Sequence, residues 1–244
     1  MSGGAPGLAI LTYHRVGRPP SQSTCRGLFT SLRSLEHHLR LLRRLGYSFV
    51  SFDDLAAWRD GGAPLPRKPV LLTFDDGHRD NLSALSLLQR HDAVAAVFVL
   101  AGEMGSRGVA WGEASERAPT DLISWEQARE LHRGGWRVES HGLTHRHLDR
   151  LEPQALADEL GVSRERIAAE IGRAPLAHAY PFGASSPTVR DAARRAGYRF
   201  ACSTERGVND LTALDPWSLR RIPVKGYRRI HLARFALAAL RGFA

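Results

Sequence analysis

Cysteine is nearly absent: the 244-residue chain has two, Cys25 and Cys202, far apart and in no CxxC pair. That excludes a disulfide framework or a cysteine-ligated zinc ribbon as the basis of the fold. Long apolar runs are lacking too. The opening MSGGAPGLAILTYHRVG carries no basic leader, and its apolar stretch before His14 is short enough to be a strand. Neither a signal peptide nor a membrane span is expected, and the expected location is the cytoplasm. No solenoid repeat, low-complexity tract or linker breaks the chain, and 43% of its residues are hydrophobic, so one domain over residues 1–244 is the simplest division.

Lysine is the other scarce residue. Lys68 and Lys225 are the only two, so the net charge of +9 is carried by arginine. Such a surface attracts anions, among them acidic headgroups and phosphate-bearing glycans. Helix-turn-helix, zinc-finger and aromatic RNA-binding signatures are missing, and nucleic acid is not an expected partner. The C-terminal YRRIHLARFALAALRGFA is basic and amphipathic, which suits either peripheral contact with an anionic membrane or the packing of a last helix. Nothing in the sequence sets the oligomeric state.

What the chain does have is alternation. Apolar runs suited to buried strands occupy 8–13, 69–74, 93–100, 136–139, 176–180, 198–203 and 221–224. Helical stripes lie between them at 34–45, 81–90, 124–133, 153–171 and 187–196, with Ser124 and Gln127 spaced as a capping box and Gly197 placed as a stop. Runs such as AVAAVFVL have no polar face, as expected of parallel strands covered on both sides. The pattern predicts an α/β barrel or a doubly wound sheet; either places chemistry beyond the C-terminal strand ends.

Three motifs stand at those ends. After PVLLTF come Asp75, Asp76 and Gly77, two carboxylates on a bending chain that can divide labour between holding a metal and taking a proton. After WRVES comes Ser140-His141-Gly142-Leu143-Thr144-His145, whose imidazoles share a face if the stretch coils into a helical turn. Two His and one Asp make the three-ligand, open arrangement of catalytic zinc. The third motif is Tyr180-Pro181-Phe182-Gly183, in which a rigid Pro beside a flexible Gly can present a backbone N–H to an oxyanion while the aromatic ring walls a cleft.

Thr73-Phe74-Asp75-Asp76-Gly77, His141-Gly142-Leu143-Thr144-His145 and Tyr180-Pro181-Phe182-Gly183 match, in order and spacing, the successive motifs of polysaccharide deacetylases. The chain resembles this family, also called the NodB-homology group or carbohydrate esterase family 4, over residues 8–225. The resemblance implies a distorted (β/α) barrel of about seven parallel strands. It also implies a divalent metal, zinc by preference with cobalt, nickel or manganese as alternatives, and hydrolysis of an N-acetyl or related acyl group on a sugar, glycan or glycolipid. Carried over by motif, Asp76, His141 and His145 would bind the metal, Asp75 would be the general base, and the Phe182 N–H would hold the oxyanion. Tyr180, Pro181, Gly183 and Trp217 would contact substrate.

The sequence departs from the family in two places. Many members open the third motif with an Arg that orients the catalytic Asp; here that position is Ala179, preceded by His178, so another group must orient Asp75. The late elements that carry the family's general acid have only Asp215-Pro216-Trp217 and His231 as counterparts, which leaves the acid open. His14, ending the first expected strand, is a candidate to touch substrate or pass a proton. The same chemistry would serve an O-deacetylase, a deformylase or a cyclic-amide hydrolase. A carbohydrate-binding homologue with weak turnover is the non-enzymatic alternative, although it would have no chemical need for Asp75. Segment 103–121 is the candidate substrate loop.

Overall fold

The computed structural model describes residues 7–21, 23, 25–109, 120–226 and 229–243. Its centre is a ring of parallel strands: β1 (Gly7–Tyr13), β2 (Pro69–Phe74), β3 (Ala95–Val99), β4 (Arg137–Ser140), β5 (Ala177–Ala179), β6 (Phe200–Arg206) and β7 (Leu219–Pro223). β7 pairs with β1, Ile222 opposite Leu11, and β1 pairs with β2, Tyr13 opposite Phe74. That closure decides for the barrel over the open sheet. Ser48–Phe49 adds a short parallel strand beside β2, and Asn209–Asp210 an antiparallel one beside β1.

Period-two alternation sorts the strand residues into two cores. Leu8, Ile10, Leu71, Ala96, Phe98, Ala177, Ala179, Phe200, Cys202 and Leu219 fill the interior; Ala9, Leu11, Tyr13, Val70, Leu72, Phe74 and Val97 face the surrounding helices. β4 breaks the apolar rule: its inward positions hold Arg137 and Glu139, paired at 2.9 Å, with Glu139 also accepting the Ala177 N–H at 2.7 Å. Helices α1 (Leu32–Arg44), α2 (Phe52–Arg59), α3 (Leu85–Arg90), α4 (Trp125–Arg133), α5 (Pro153–Ile171), α6 (Pro187–Arg195) and α7 (Arg229–Leu240) complete the chain. α2 starts in a Ser51/Asp54 capping box and pushes Phe52 against Phe98 and Phe200, closing the end of the barrel away from the motifs.

The helix expected over 81–90 is shorter than its pattern. Residues Arg79–Ala84 form a 3₁₀ turn, and α3 begins only at Leu85. The cause is a tether: Asp80 accepts from the Arg15 side chain (2.8 Å) and the Val16 N–H (2.9 Å), and Asn81 donates to the His14 carbonyl (2.7 Å). The same bonds fix His14 beside the end of β2. The capping box at Ser124/Gln127 forms as expected. α7 packs on α1 through Phe235, which stacks on His38 at 3.9 Å, so core packing accounts for much of its apolar stripe; Leu237 and Leu240 remain exposed. No helix among the described residues is long and apolar enough to cross a membrane. Of the segment 103–121, residues 110–119 lie outside the described residues.

Candidate metal centre and cleft

The Asp75 N–H extends the ladder by donating to the Tyr13 carbonyl (3.0 Å), and Asp76 then leaves it in the left-handed region, φ 72°. The turn sends the two carboxylates apart. Asp75 Oδ1 takes a 2.7 Å bond from Arg221 Nη1, and both side chains are buried. Asp76 Oδ1 lies 3.3 Å from His141 Nε2 and 3.5 Å from His145 Nε2, while its Oδ2 lies 3.0 Å from His78 Nε2. One ligand atom from each of Asp76, His141 and His145 fits within 4.8 Å of the others, a spacing that can hold a metal ion.

The second motif is not the helical turn that the four-residue spacing suggested. His141 continues from β4, its N–H on the Val99 carbonyl at 2.8 Å, and the chain then loops back through Gly142 (φ 87°) and His145 (φ 59°). A buried residue of α5, Glu159, holds the loop: one carboxylate oxygen accepts the N–H groups of Leu143 (2.7 Å) and Thr144 (3.2 Å), the other the Thr144 hydroxyl. His141 Nδ1 meets the Ala179 carbonyl at 2.7 Å. A carbonyl only accepts, so Nδ1 carries the proton and Nε2 presents a lone pair toward Asp76, the orientation in which an imidazole can bind a metal.

Glu159 gives the first expected outcome. Glu159→Ala leaves two part-buried loop N–H groups without their acceptor, at about 0.5–1.5 kcal/mol for each bond lost. A lower thermal-unfolding midpoint and metal affinity weakened about 10- to 100-fold are expected, measured by calorimetry and by competition with a chelating dye.

The third motif follows β5. Tyr180 N–H bonds the Cys202 carbonyl (3.1 Å), and Phe182 takes φ 58°. The Phe182 ring meets His145 edge-on at 4.5 Å and stacks on His147 at 4.0 Å, so His147 braces the ring and stands outside the three-residue group. Gly183 is required here: a Cβ would come within 2.0 Å of Thr204 Oγ1, at φ 74°. Asp76, His145 and Phe182, all non-glycine residues with positive φ, concentrate backbone strain at one site, a pattern typical of functional centres.

These residues line one cleft of about 490 Å³: His14, Asp75, Asp76, His141, His145, Tyr180 and Phe182 face it, joined by His78, Arg221 and Lys225. Pro181, Gly183 and Trp217 do not line it. Pro181 and Gly183 shape the loop backbone, and Trp217 accepts the Tyr180 hydroxyl on its carbonyl (3.1 Å) while its ring lies over Arg59. His231 is on α7, away from the cleft. Sequence reasoning missed Arg221, His78 and Glu159. His78 directly follows the Asp-Asp-Gly turn, a signal that adjacency alone could have raised; its ring spans Asp76 and Thr120 Oγ1 (3.0 Å).

Charge follows from this packing. Burial pushes the Asp75 carboxyl up, but Arg221, His141 and His14 outweigh it and hold the group below the usual carboxylate range. For Asp76, burial is likewise overcome by the imidazoles of His141, His145 and His78 that face it, leaving it well below that range. Burial lowers His141, yet Asp76 and Asp75 raise it above its ordinary value. For His14 burial prevails over both carboxylates, and its pKa is lowered, which keeps the imidazole neutral near pH 7. Both carboxylates are therefore anions.

The sequence profile described as polysaccharide deacetylase matches residues 62–201, more than half of the chain and all three motifs. The chain belongs to the polysaccharide deacetylase family. Among this family's members it is similar to the Bacillus subtilis protein YxkH, at 25% identity over 201 residues, covering 82% of this chain and 65% of YxkH. Over 73 residues it is 34% identical to the poly-beta-1,6-N-acetyl-D-glucosamine N-deacetylase of Escherichia coli K12, covering 30% of this chain and 11% of that enzyme. The chain thus spans less than two thirds of either relative. Its fold matches the Streptococcus pyogenes deacetylase PplD, solved in complex with acetate, with a TM-score of 0.78 at 24% identity, over 91% of this chain and 94% of that one.

Proposed function

We propose that this family member is a metal-dependent hydrolase that removes an N-acetyl or related acyl group from a sugar unit of a glycan or glycoconjugate. The observation that carries the reading is the division of the carboxylate pair: Asp76 faces three imidazoles, and Asp75 faces Arg221 and the open cleft. Asp76, His141 and His145 would hold the ion; two imidazoles and one carboxylate suit zinc and leave a position open. When bound, the ion supplies Lewis acidity toward an acyl oxygen and makes water a better nucleophile.

The chain's own groups do the rest. Asp75, kept ionised by Arg221, takes the proton of the attacking water. Phe182, held in its left-handed conformation by the turn at Gly183, offers its N–H to the developing oxyanion. The proton taken up by Asp75 must reach the leaving nitrogen, and His14, neutral at rest on the same cleft wall, is placed to relay it. His78 and Ala179 act behind the ligands, fixing Asp76 and His141 in orientation.

The test is acetate release from matched N-acetylated and O-acetylated sugars, before and after chelation. Release from the N-acetylated member, abolished by chelation and restored by zinc, supports the reading. Release from the O-acetylated member alone would replace it with an esterase.

A further inference from the structure

Packing explains only part of the last helix. Phe235 and Ala239 of α7 are buried in the core, and Phe235 stacks on His38 of α1 at 3.9 Å. Leu237 and Leu240 point the other way and are 49% and 66% exposed. Three residues apart, they share one face of the helix, and the exposed Ala233 lies on it too. Among the described residues only two other large apolar side chains are exposed, Leu32 at the start of α1 and Phe182 in the cleft.

Arginine flanks these leucines on both sides. Arg234 turns to the β7 side of α7, where it lines a cavity with Ala238, Arg206 and Ile222, and Arg241 follows on the same flank two turns later. On the opposite side lies α1, whose outer face carries Arg33, His37, Arg40 and Arg44 in one stripe. All five arginines of the two helices' outer faces are exposed, and none has an acidic partner among the described residues. Glu36, the one acid of α1, lies 3.7 Å from His91. After Asp215 the chain has no Asp or Glu at all.

We propose that the outer faces of α1 and α7 form one docking surface for an anionic lipid bilayer, with Leu237 and Leu240 entering the acyl boundary and the arginines meeting the headgroups. Two helices packed side by side on a barrel turn their outer faces the same way. Leucines between two basic rows suit a bilayer interface, because the apolar groups leave water while long cationic side chains reach the headgroup level. A second copy of the chain fits this face less well. Two-fold pairing would set the same arginines against one another around two leucines a side, too little apolar area for an interface core. The surface shares no residue with the metal centre or its cleft and does not depend on the hydrolase reading.

The experiment is flotation of the full chain with phosphatidylcholine vesicles, with and without phosphatidylglycerol, at increasing salt. The expected result is binding at least about tenfold stronger to the phosphatidylglycerol vesicles, weakening as salt rises. Leu237→Ala/Leu240→Ala keeps every charge and a good helix former, and loses about tenfold. Arg40→Ala/Arg44→Ala loses about 10- to 30-fold. Arg133→Ala/Arg166→Ala removes the same charge from exposed positions on α4 and α5, beside β4 across the barrel, and stays within about twofold of wild type. Circular dichroism verifies that each variant is folded. Equal losses in the two arginine pairs with none in the leucine pair would show attraction by net charge alone and overturn the surface. A wild-type chain that fails to float would overturn it as well, as would a dimer in sedimentation velocity that Leu237→Ala/Leu240→Ala dissociates.

Discussion

Asp75→Asn loses about 10²- to 10⁴-fold in turnover, the contribution of a positioned general base, while its metal content stays at the wild-type level. The geometry sets this split. Asp75 lies at the end of β2 but turns away from the three-residue group, and its bonded partner is Arg221 at 2.7 Å. Asn keeps the shape and can still meet Arg221 through its amide oxygen, yet it cannot take a proton. Metal analysis of the variant beside its acetate release separates the two roles. A variant that kept full activity would show that the base is another group, and one that lost its metal would place Asp75 among the ligands.

The second large effect is expected at Arg221. It stands on β7, buried, with Nε on the Ser203 carbonyl (3.0 Å) and Nη1 on Asp75, and so supplies the orientation that the family draws from the residue here replaced by Ala179. Arg221→Met leaves Asp75 buried without its cation, at about 3–5 kcal/mol of stability at neutral pH, the cost of breaking a buried pair. The pH dependence follows from the direction of the shift. In the wild type the folded-state pKa of Asp75 is depressed, so its contribution to stability is present above the unfolded value and is lost as pH falls through the folded value. In the variant burial acts without Arg221, the folded pKa rises, and the acid limb of the pH–rate profile moves to higher pH. A profile with lower height but an unmoved acid limb would assign Arg221 a purely structural role.

How much of this was legible in the sequence depends on distance along the chain. Alternating apolar runs and helical stripes gave the parallel α/β architecture, because buried parallel strands have a composition of their own. Closure was not legible from pattern alone; it depends on β7 finding β1 across more than 200 residues. The grouping of Asp76, His141 and His145 was legible because each member follows a strand that delivers it to the same rim. Arg221 was not, since a charged residue in a short strand beside Ile222-Pro223 reads as ordinary surface until the barrel turns it inward on Asp75. Glu159 was hidden for the same reason, one carboxylate among several on a long helix. The histidine pair shows the opposite error: spacing suggested a helical turn, whereas a glycine and two anchored loop amides bring the rings together.

The most direct test is acetate release from an N-acetylated oligosaccharide by chelated protein titrated with zinc, run in parallel on His141→Ala. The account predicts activity that rises from none and levels off near one equivalent of metal, with no rise in the variant. Activity that survives complete chelation, or that zinc restores equally in His141→Ala, would contradict it.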